Sequence, residues 1–421
     1  MVTSGSRFLP TLLLVGTIVV LAVLPHLFHG RYALTLLNQL GIGIVFALSY
    51  NMLLGQSGLL SFGHAVYFGL GGFTALHALN AITDGDLPLP VPLLPIVGGL
   101  MGLAVGIILG WVSTRRSGTI FAMISLGFAE LVAASSNIIR GYFGGEEGIS
   151  GDRMSGPVLF NLSMGPQRDV YYVIAAWMLV SALLMYLITQ TPLGRMANAV
   201  RDNPQRVAFV GYNPQTVRFL MFALSGFFAG IAGGLFAINF EIITAQTVGI
   251  EYSASVLMMA YIGGTGYFLG PVLGAIIYTA LSIVLSGYTE AWMFYLGVFF
   301  IIVVLYAPNG VSGILALHEP VFRARLAYRL LPSYVLAFVT AVVLLVGAVV
   351  VIESSYHLSQ PGALTATMNL AGIEYDADGW RPWAFGLGAL AIGAFLLRGT
   401  IHSVGDAWAD VRNRMLGDTA T

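Results

Sequence analysis

The chain has no cysteine and no lysine, and charged residues of every kind make up only 9% of its 421 positions. Without cysteine there is no disulfide framework, no thiolate nucleophile and no Cys-ligated zinc or iron–sulfur site. All 18 basic residues are arginine. That excludes a Walker A phosphate loop, whose lysine must reach the nucleotide phosphates. A net charge of −1, spread thinly, offers no basic patch for nucleic acid. No two of the seven histidines stand at a spacing that would build a metal site with carboxylates, so neither metal nor cofactor is expected.

What the chain has instead is apolar length. Hydrophobic residues reach 57% and mean hydropathy is +0.85, the composition of an integral membrane protein in a lipid bilayer. Windows of about 20 residues find apolar runs at 8–29, 32–54, 58–79, 92–112, 117–139, 170–189, 214–239, 254–287, 291–307, 333–352 and 382–398. The first lacks a small-x-small cleavage site and is expected to be a retained span. The run 254–287 is too long for one crossing, and GGTGYFLGP, Gly263 to Pro271, carries enough glycine and proline to break it. The expected fold is all-α, a polytopic bundle of about twelve crossings. About ten of these, with broken helices, belong to a core over residues 1–320, and about two to an extension over 321–421.

Arginine placement orients the bundle, because cytoplasmic loops hold the excess of positive charge. Arg7, Arg115 and Arg116, the set Arg195, Arg201, Arg206 and Arg218, the set Arg323, Arg325 and Arg329, and finally Arg398, Arg412 and Arg414 all fall on one side. The acidic loops around Asp84, Glu146, Glu147, Glu241, Glu251 and Glu374 to Asp378 fall on the other. A multi-pass inner-membrane protein with both termini cytoplasmic is expected. The longest gaps between spans, 140–169 and 353–381, are too short for a receptor or nucleotide-binding domain. Substrate capture in solution and energy must come from another chain or from an ion gradient.

One basic, partly amphipathic stretch, Gly194 to Pro214, interrupts the apolar runs. Thr191-Pro192 is a helix start, with threonine capping and proline in the first turn. Asn203-Pro204 interrupts that helix, Gly211 ends a second piece and Asn213-Pro214 starts the next span. Two short helices are expected, offering Met196, Ala199, Val200, Val207 and Phe209 as apolar contacts among arginines. The alternative is a basic loop that only sets topology.

GQSGLLSFGHAVYFGLGGF at Gly55 to Phe73, SGTIFAMISLGFAELV at Ser117 to Val132, GGEEGISG at Gly144 to Gly151, the Gly194 loop, SGFFAGIAGGLFA at Ser225 to Ala237 and IGGTGYFLGPVLGA at Ile262 to Ala275 come in one order. Together, over about residues 35–315, they resemble the LivM-type permease of branched-chain amino acid ABC importers. The resemblance implies a pore shared with a second, LivH-like permease chain and a periplasmic substrate-binding protein. It also implies cytoplasmic ATPase subunits docked on a coupling loop that here carries Arg195, Arg201, Asp202, Arg206 and Gly211. The chain departs from the family at Ala307-Pro308-Asn309-Gly310, where a basic residue commonly precedes the glycine, and in the tail beyond residue 320.

Ionisable groups inside spans are costly and therefore candidates for a substrate pathway. Glu130 could bind an ammonium group, relay a proton, or be a buried carboxyl held by a neighbouring helix. His64 could line the pore or bond nearby backbone, and Gly63, Tyr67, Gly263 and Gly264 accompany the two breaks. Gly226, Gly230 and Gly234, like Gly270 and Gly274, recur every fourth residue and are read as helix packing. The expected function is an ABC-importer permease, not an enzyme, for branched-chain or other hydrophobic amino acids. Urea, short amides or aromatic acids remain open as substrates, as does a self-contained proton-coupled carrier using Glu130 and His64.

Overall fold

A computed structural model describes residues 8–28, 30–155, 157, 163–359, 367–370, 373–377 and 379–418. Arg7 and Asp378 lie outside the described residues. The architecture is helical: α1 Phe8–Leu27, α2 Arg31–Asn51, α3 Ala65–Thr83, α4 Leu94–Ser113, α5 Thr119–Ile138, α6 Arg140–Phe143, α7 Gln167–Gln190, α8 Pro192–Asp202, α9 Pro204–Phe209, α10 Pro214–Phe240, α11 Ile250–Gly263, α12 Gly270–Tyr288, α13 Trp292–Tyr306, α14 Gly310–Arg323, α15 Leu331–Ser359 and α16 Trp380–Asp418. Two small antiparallel strand pairs complete it, β1 Ile149–Ser150 with β2 Ile242–Ile243, and β3 Thr367–Leu370 with β4 Ile373–Asp376.

Nine helices among the described residues are long and apolar enough to cross a membrane, or ten when α13 and α14, bent by 44°, count as one span. About twelve were expected from the apolar runs. One difference is α11, whose 14 residues rise only about 21 Å, short of a hydrocarbon core of about 30 Å. The other is at α1, a 20-residue apolar helix, Phe8–Leu27, whose described side chains cover only the stretch Val15–Leu27. Hydrophobic length in a window does not separate a full span from a shorter helix such as α11.

The chain divides into two units, Met1–Leu281 with Phe300–Gly313, and Ser282–Phe299 with Ile314–Thr421. In the first, α3, α4 and α10 converge through glycines. A Cβ on Gly230 would strike the carbonyl oxygen of Gly98, and one on Gly71 would lie 2.6 Å from the Gly230 Cα. Gly226 meets Gly102 and Gly234 meets Pro95 in the same way, so α10 lies along the Gly98, Gly102 and Gly106 stripe of α4. Backbones brought this close exchange dispersion contacts that larger side chains would block. The apolar windows of α3 and α10 are each 72% buried, against 28% for α5, which leaves α5 at the edge with one face open.

In the second unit α15 and α16 form a hairpin. A Cβ on Gly347 would approach the Gly386 carbonyl at 2.9 Å, the Thr340 and Thr400 hydroxyls bond at 2.9 Å, and those of Ser333 and Ser403 at 3.0 Å. The phenol of Tyr334 joins His318 Nε2 at 2.6 Å and accepts the Trp408 indole N–H at 3.1 Å.

Candidate functional site

The hinge between α7 and α10 is built from three caps. The hydroxyl of Thr191 accepts from the Gly194 amide at 3.3 Å, the Asn203 side chain from Arg206 at 3.0 Å, and the Asn213 side chain from Gln215 at 2.9 Å. Proline occupies the first turn after each, where its missing N–H has no helical partner to lose. Gly211, at φ +92°, reverses the chain after α9. The apolar residues divide in a way the pattern alone did not separate. Val200 and Val207 are buried against the protein's own core, whereas Phe209 and Val210 are 89% and 74% exposed beside Tyr212. The outward surface is therefore Phe209, Val210 and Tyr212 with exposed Arg195 and Arg206, and the two valines anchor the helices instead of meeting a partner.

Arg201 has a separate role. Its guanidinium donates to the carbonyl of Gly55 and to Asp202 Oδ1, the latter at 3.0 Å. Gly55 lies in a π-helical turn, Met52–Gln56, where α2 loses its regular hydrogen bonding before the irregular segment 57–64. A side chain at Gly55 would strike Asn51 and the Thr265 carbonyl, and one at Gly58 would meet the Arg201 Cγ at 2.9 Å. The break thus sits between α8 and the glycine turn after α11. Asn51 Oδ1, Gln56 Oε1 and His64 Nδ1 are buried in it without a protein partner.

At its far end the break rests on α5. The Phe62 amide donates to Ser125 Oγ at 3.0 Å, and a Cβ on Gly63 would collide with the Ser125 carbonyl and sit 3.4 Å from the Ala129 Cβ. Ala129 is fully buried by this contact, while Glu130, one residue on, turns to the open face of α5 with Met123, Gly127 and Ala134. Glu130 stands about 12 Å by helical rise from the end of α5. His64 and Tyr67, by contrast, are enclosed. His64 Nε2 shares a hydrogen bond with Ser49 at 3.0 Å, and its ring stacks on Phe46 at 5.5 Å and meets the edges of Tyr50 and Tyr67. Of the pathway residues expected from the sequence, Gly63 packs on Ser125 and Ala129 at the buried side of α5, Glu130 faces away from it on the exposed side, and Tyr67 meets the His64 ring.

Gly263 and Gly264 form a second knot. A Cβ at Gly263 would strike the Gly270 carbonyl, one at Gly274 the Met259 carbonyl, and one at Gly264, where φ is +104°, the Asn309 carbonyl. Ser312 Oγ donates to the Gly263 carbonyl at 2.6 Å. These glycines close a tight backbone crossing and carry no side chain toward Glu130.

Sequence reasoning missed Arg153. Its buried guanidinium donates to the carbonyls of Met164, Ile238 and Asn239 at 2.8–3.1 Å and to Gln167 Oε1 at 3.0 Å, and Glu241 lies 3.9 Å away. It ties the β1 loop to the C-terminal end of α10, opposite α9. Beside it, Asp152 is held below the usual carboxylate range by the Met154 amide and the Ser155 hydroxyl. Nothing in composition marks one arginine among 18 as interior, and Arg140 and Arg168 share its loop, so no sequence signal singled it out.

Broken spans around a glycine-packed centre, with a capped helical hinge at one end, define a multi-pass membrane permease. Comparison with known proteins gives the family. The chain belongs to the branched-chain amino acid transport system / permease component family, which residues 32–307 match. It is 26% identical over 329 residues to the high-affinity branched-chain amino acid transport system permease protein LivM of Escherichia coli (strain K12), covering 73% of this chain and 76% of the relative. A probable branched-chain amino acid transport permease protein LivM of Methanocaldococcus jannaschii is 25% identical over 321 residues, 64% of this chain and 90% of that one. The ribose import permease protein RbsC of Haemophilus influenzae is 24% identical over 268 residues, 60% and 76% respectively. No solved structure matches the chain. The family match stops before α14.

Proposed function

We propose that this chain is a translocation subunit of an ABC importer for branched-chain amino acids, working with a second, LivH-like permease chain, cytoplasmic ATPase subunits and a periplasmic substrate-binding protein. The chain moves substrate and breaks no bond, and its ATPase partners supply the energy. It lies in the inner membrane with both termini and the α8–α9 hinge cytoplasmic, an arrangement in which α1 and α11 also cross and six crossings stand on either side of the hinge. Residues 1–320 form the permease core and 321–421 an extension.

The observation that carries this reading is the continuous line from hinge to α5. An ATPase gripping Phe209, Val210 and the exposed arginines moves α8, and Arg201 passes that displacement to Gly55. The broken segment then shifts Gly63 on Ser125 and Ala129, directly behind Glu130. Glu130 on an open apolar face cannot remain against lipid, since a charge there costs about 3 kcal/mol or more. A second permease chain over α5 would turn that face into a path, with Glu130 receiving the substrate ammonium group.

The test is uptake of labelled leucine into proteoliposomes that hold all four components, with ATP supplied or a proton gradient imposed. Uptake that needs ATP and every partner supports the importer. Uptake by this chain alone on a proton gradient overturns it. Charge reversal at the outward Arg195 and Arg206 together should abolish transport by the importer and leave a self-contained carrier active. Competition by ribose, urea, short amides and aromatic acids then measures substrate range.

A further inference from the structure

The last turn of α5 opens onto a cavity of about 500 Å³ lined by Asn137, Arg140, Gly144, Gly145, Glu146 and Glu147. Small-molecule sites typically enclose about 300–1,000 Å³, so the space admits a single amino acid with its water. Arg140, Glu146 and Glu147 make no ion pair among the described residues, although all three line one space. Opposite charges that share a cavity without pairing leave a guanidinium and two carboxylates open to a ligand carrying both signs. Asn137 continues the face of α5 that carries Glu130 and Ala134, the spacing of one helical stripe. The cavity therefore lies about 10 Å of helical rise from Glu130 along an open surface.

We propose that this cavity is an entry subsite for an α-amino acid zwitterion. Arg140 takes the carboxylate, Glu146 or Glu147 takes the ammonium group, and the side chain lies toward the apolar flank of α5 before the ammonium passes to Glu130. This assignment rests on the importer reading and deepens it. A ligand with only one charge satisfies half of the lining and leaves the other half unpaired, which is how the subsite would reject it.

Saturation-transfer NMR on the full chain in lipid nanodiscs tests it, with leucine, leucinamide, which lacks the carboxylate, and 4-methylpentanoate, which lacks the amine, as probes. The expected result is transfer to leucine at least about fivefold above either analogue, on the scale of one charge-assisted hydrogen bond. Arg140→Gln should erase the preference over leucinamide, and Glu146→Gln with Glu147→Gln the preference over 4-methylpentanoate. These side chains are exposed, so the variants should melt as the parent does. No preference in the parent chain, or a preference unchanged in both variants, overturns the subsite. So does unchanged transfer in Arg140→Gln accompanied by weaker capture of the binding protein, which would make the cavity a protein contact. Charge-selective transfer without ATP-driven uptake in proteoliposomes would instead sink the importer reading and leave the subsite standing.

Discussion

The guanidinium of Arg201 donates to the backbone carbonyl of Gly55, joining the short helix after α7 to the π-helical turn where α2 breaks. Arg201 is 37% exposed and reaches an interior carbonyl, whereas exposed Arg195 and Arg206 make no such bond to the break. One arginine of the hinge is thus committed inward while the others are free for a partner.

Replacing Arg201 with glutamine should cut that link without removing the docking surface. Leucine uptake is expected to fall about tenfold or more, within the usual range of coupling free energies. ATPase subunits should still co-purify, and ATP hydrolysis should lose its dependence on the binding protein. Uptake and hydrolysis measured on one proteoliposome preparation check this, and loss of co-purification would place Arg201 in the docking surface instead.

Phe209 and Val207 lie two residues apart and should fail differently. Phe209→Ser removes an exposed ring, so ATPase capture should weaken about tenfold with the melting temperature unchanged. Val207→Ala empties a buried position and should cost about 2 kcal/mol of stability with capture intact once the protein is folded. Pull-down and thermal unfolding in the same detergent separate the two.

Gly230→Ala should destabilise the chain by about 1–3 kcal/mol, because its Cβ would meet backbone of Gly98 and not a side chain that can swing aside. Gly127→Ala has nothing within 4 Å and should leave the isolated chain unaffected. Gly127→Leu should weaken assembly with the second permease chain, which native gel analysis of the co-expressed pair would read.

Arg153→Met leaves three carbonyls and the Gln167 side chain without their donor and is expected to cost about 3 kcal/mol. Proteolysis within residues 149–155 should accelerate before global unfolding does. Equal protection of that loop in both proteins would show that β1 pairing alone holds it.

Glu130→Gln keeps the size and removes the charge. The expected effect is a KM for leucine raised about tenfold, the scale of one hydrogen bond to an ionised group, with assembly intact. An unchanged KM would assign Glu130 to packing between chains.

Much of the membrane architecture was legible in the apolar runs, because a bilayer demands about 20 apolar residues per helix. The hinge was legible too: Thr191-Pro192, Asn203-Pro204 and Asn213-Pro214 dictate local capping through short-range geometry that needs no distant partner. Gly98, Gly102 and Gly106 carry the same four-residue signature as Gly226, Gly230 and Gly234, so even their packing was present as periodicity.

The tertiary structure alone decided which face each helix buries. Val207 and Phe209 are both apolar residues on one short helix, and only the position of the core sends one inward and the other out. Arg153, Arg201 and Arg206 are the same side chain in the sequence; one binds interior carbonyls, one reaches Gly55 across 146 positions, and one stays in solvent. Local sequence determines what a segment can form, because caps and periodicity act within a few residues. Which arginine bonds Gly55 and which carboxylate faces the open side of α5 depends on contacts between segments far apart in the chain, and those exist only once the helices have packed.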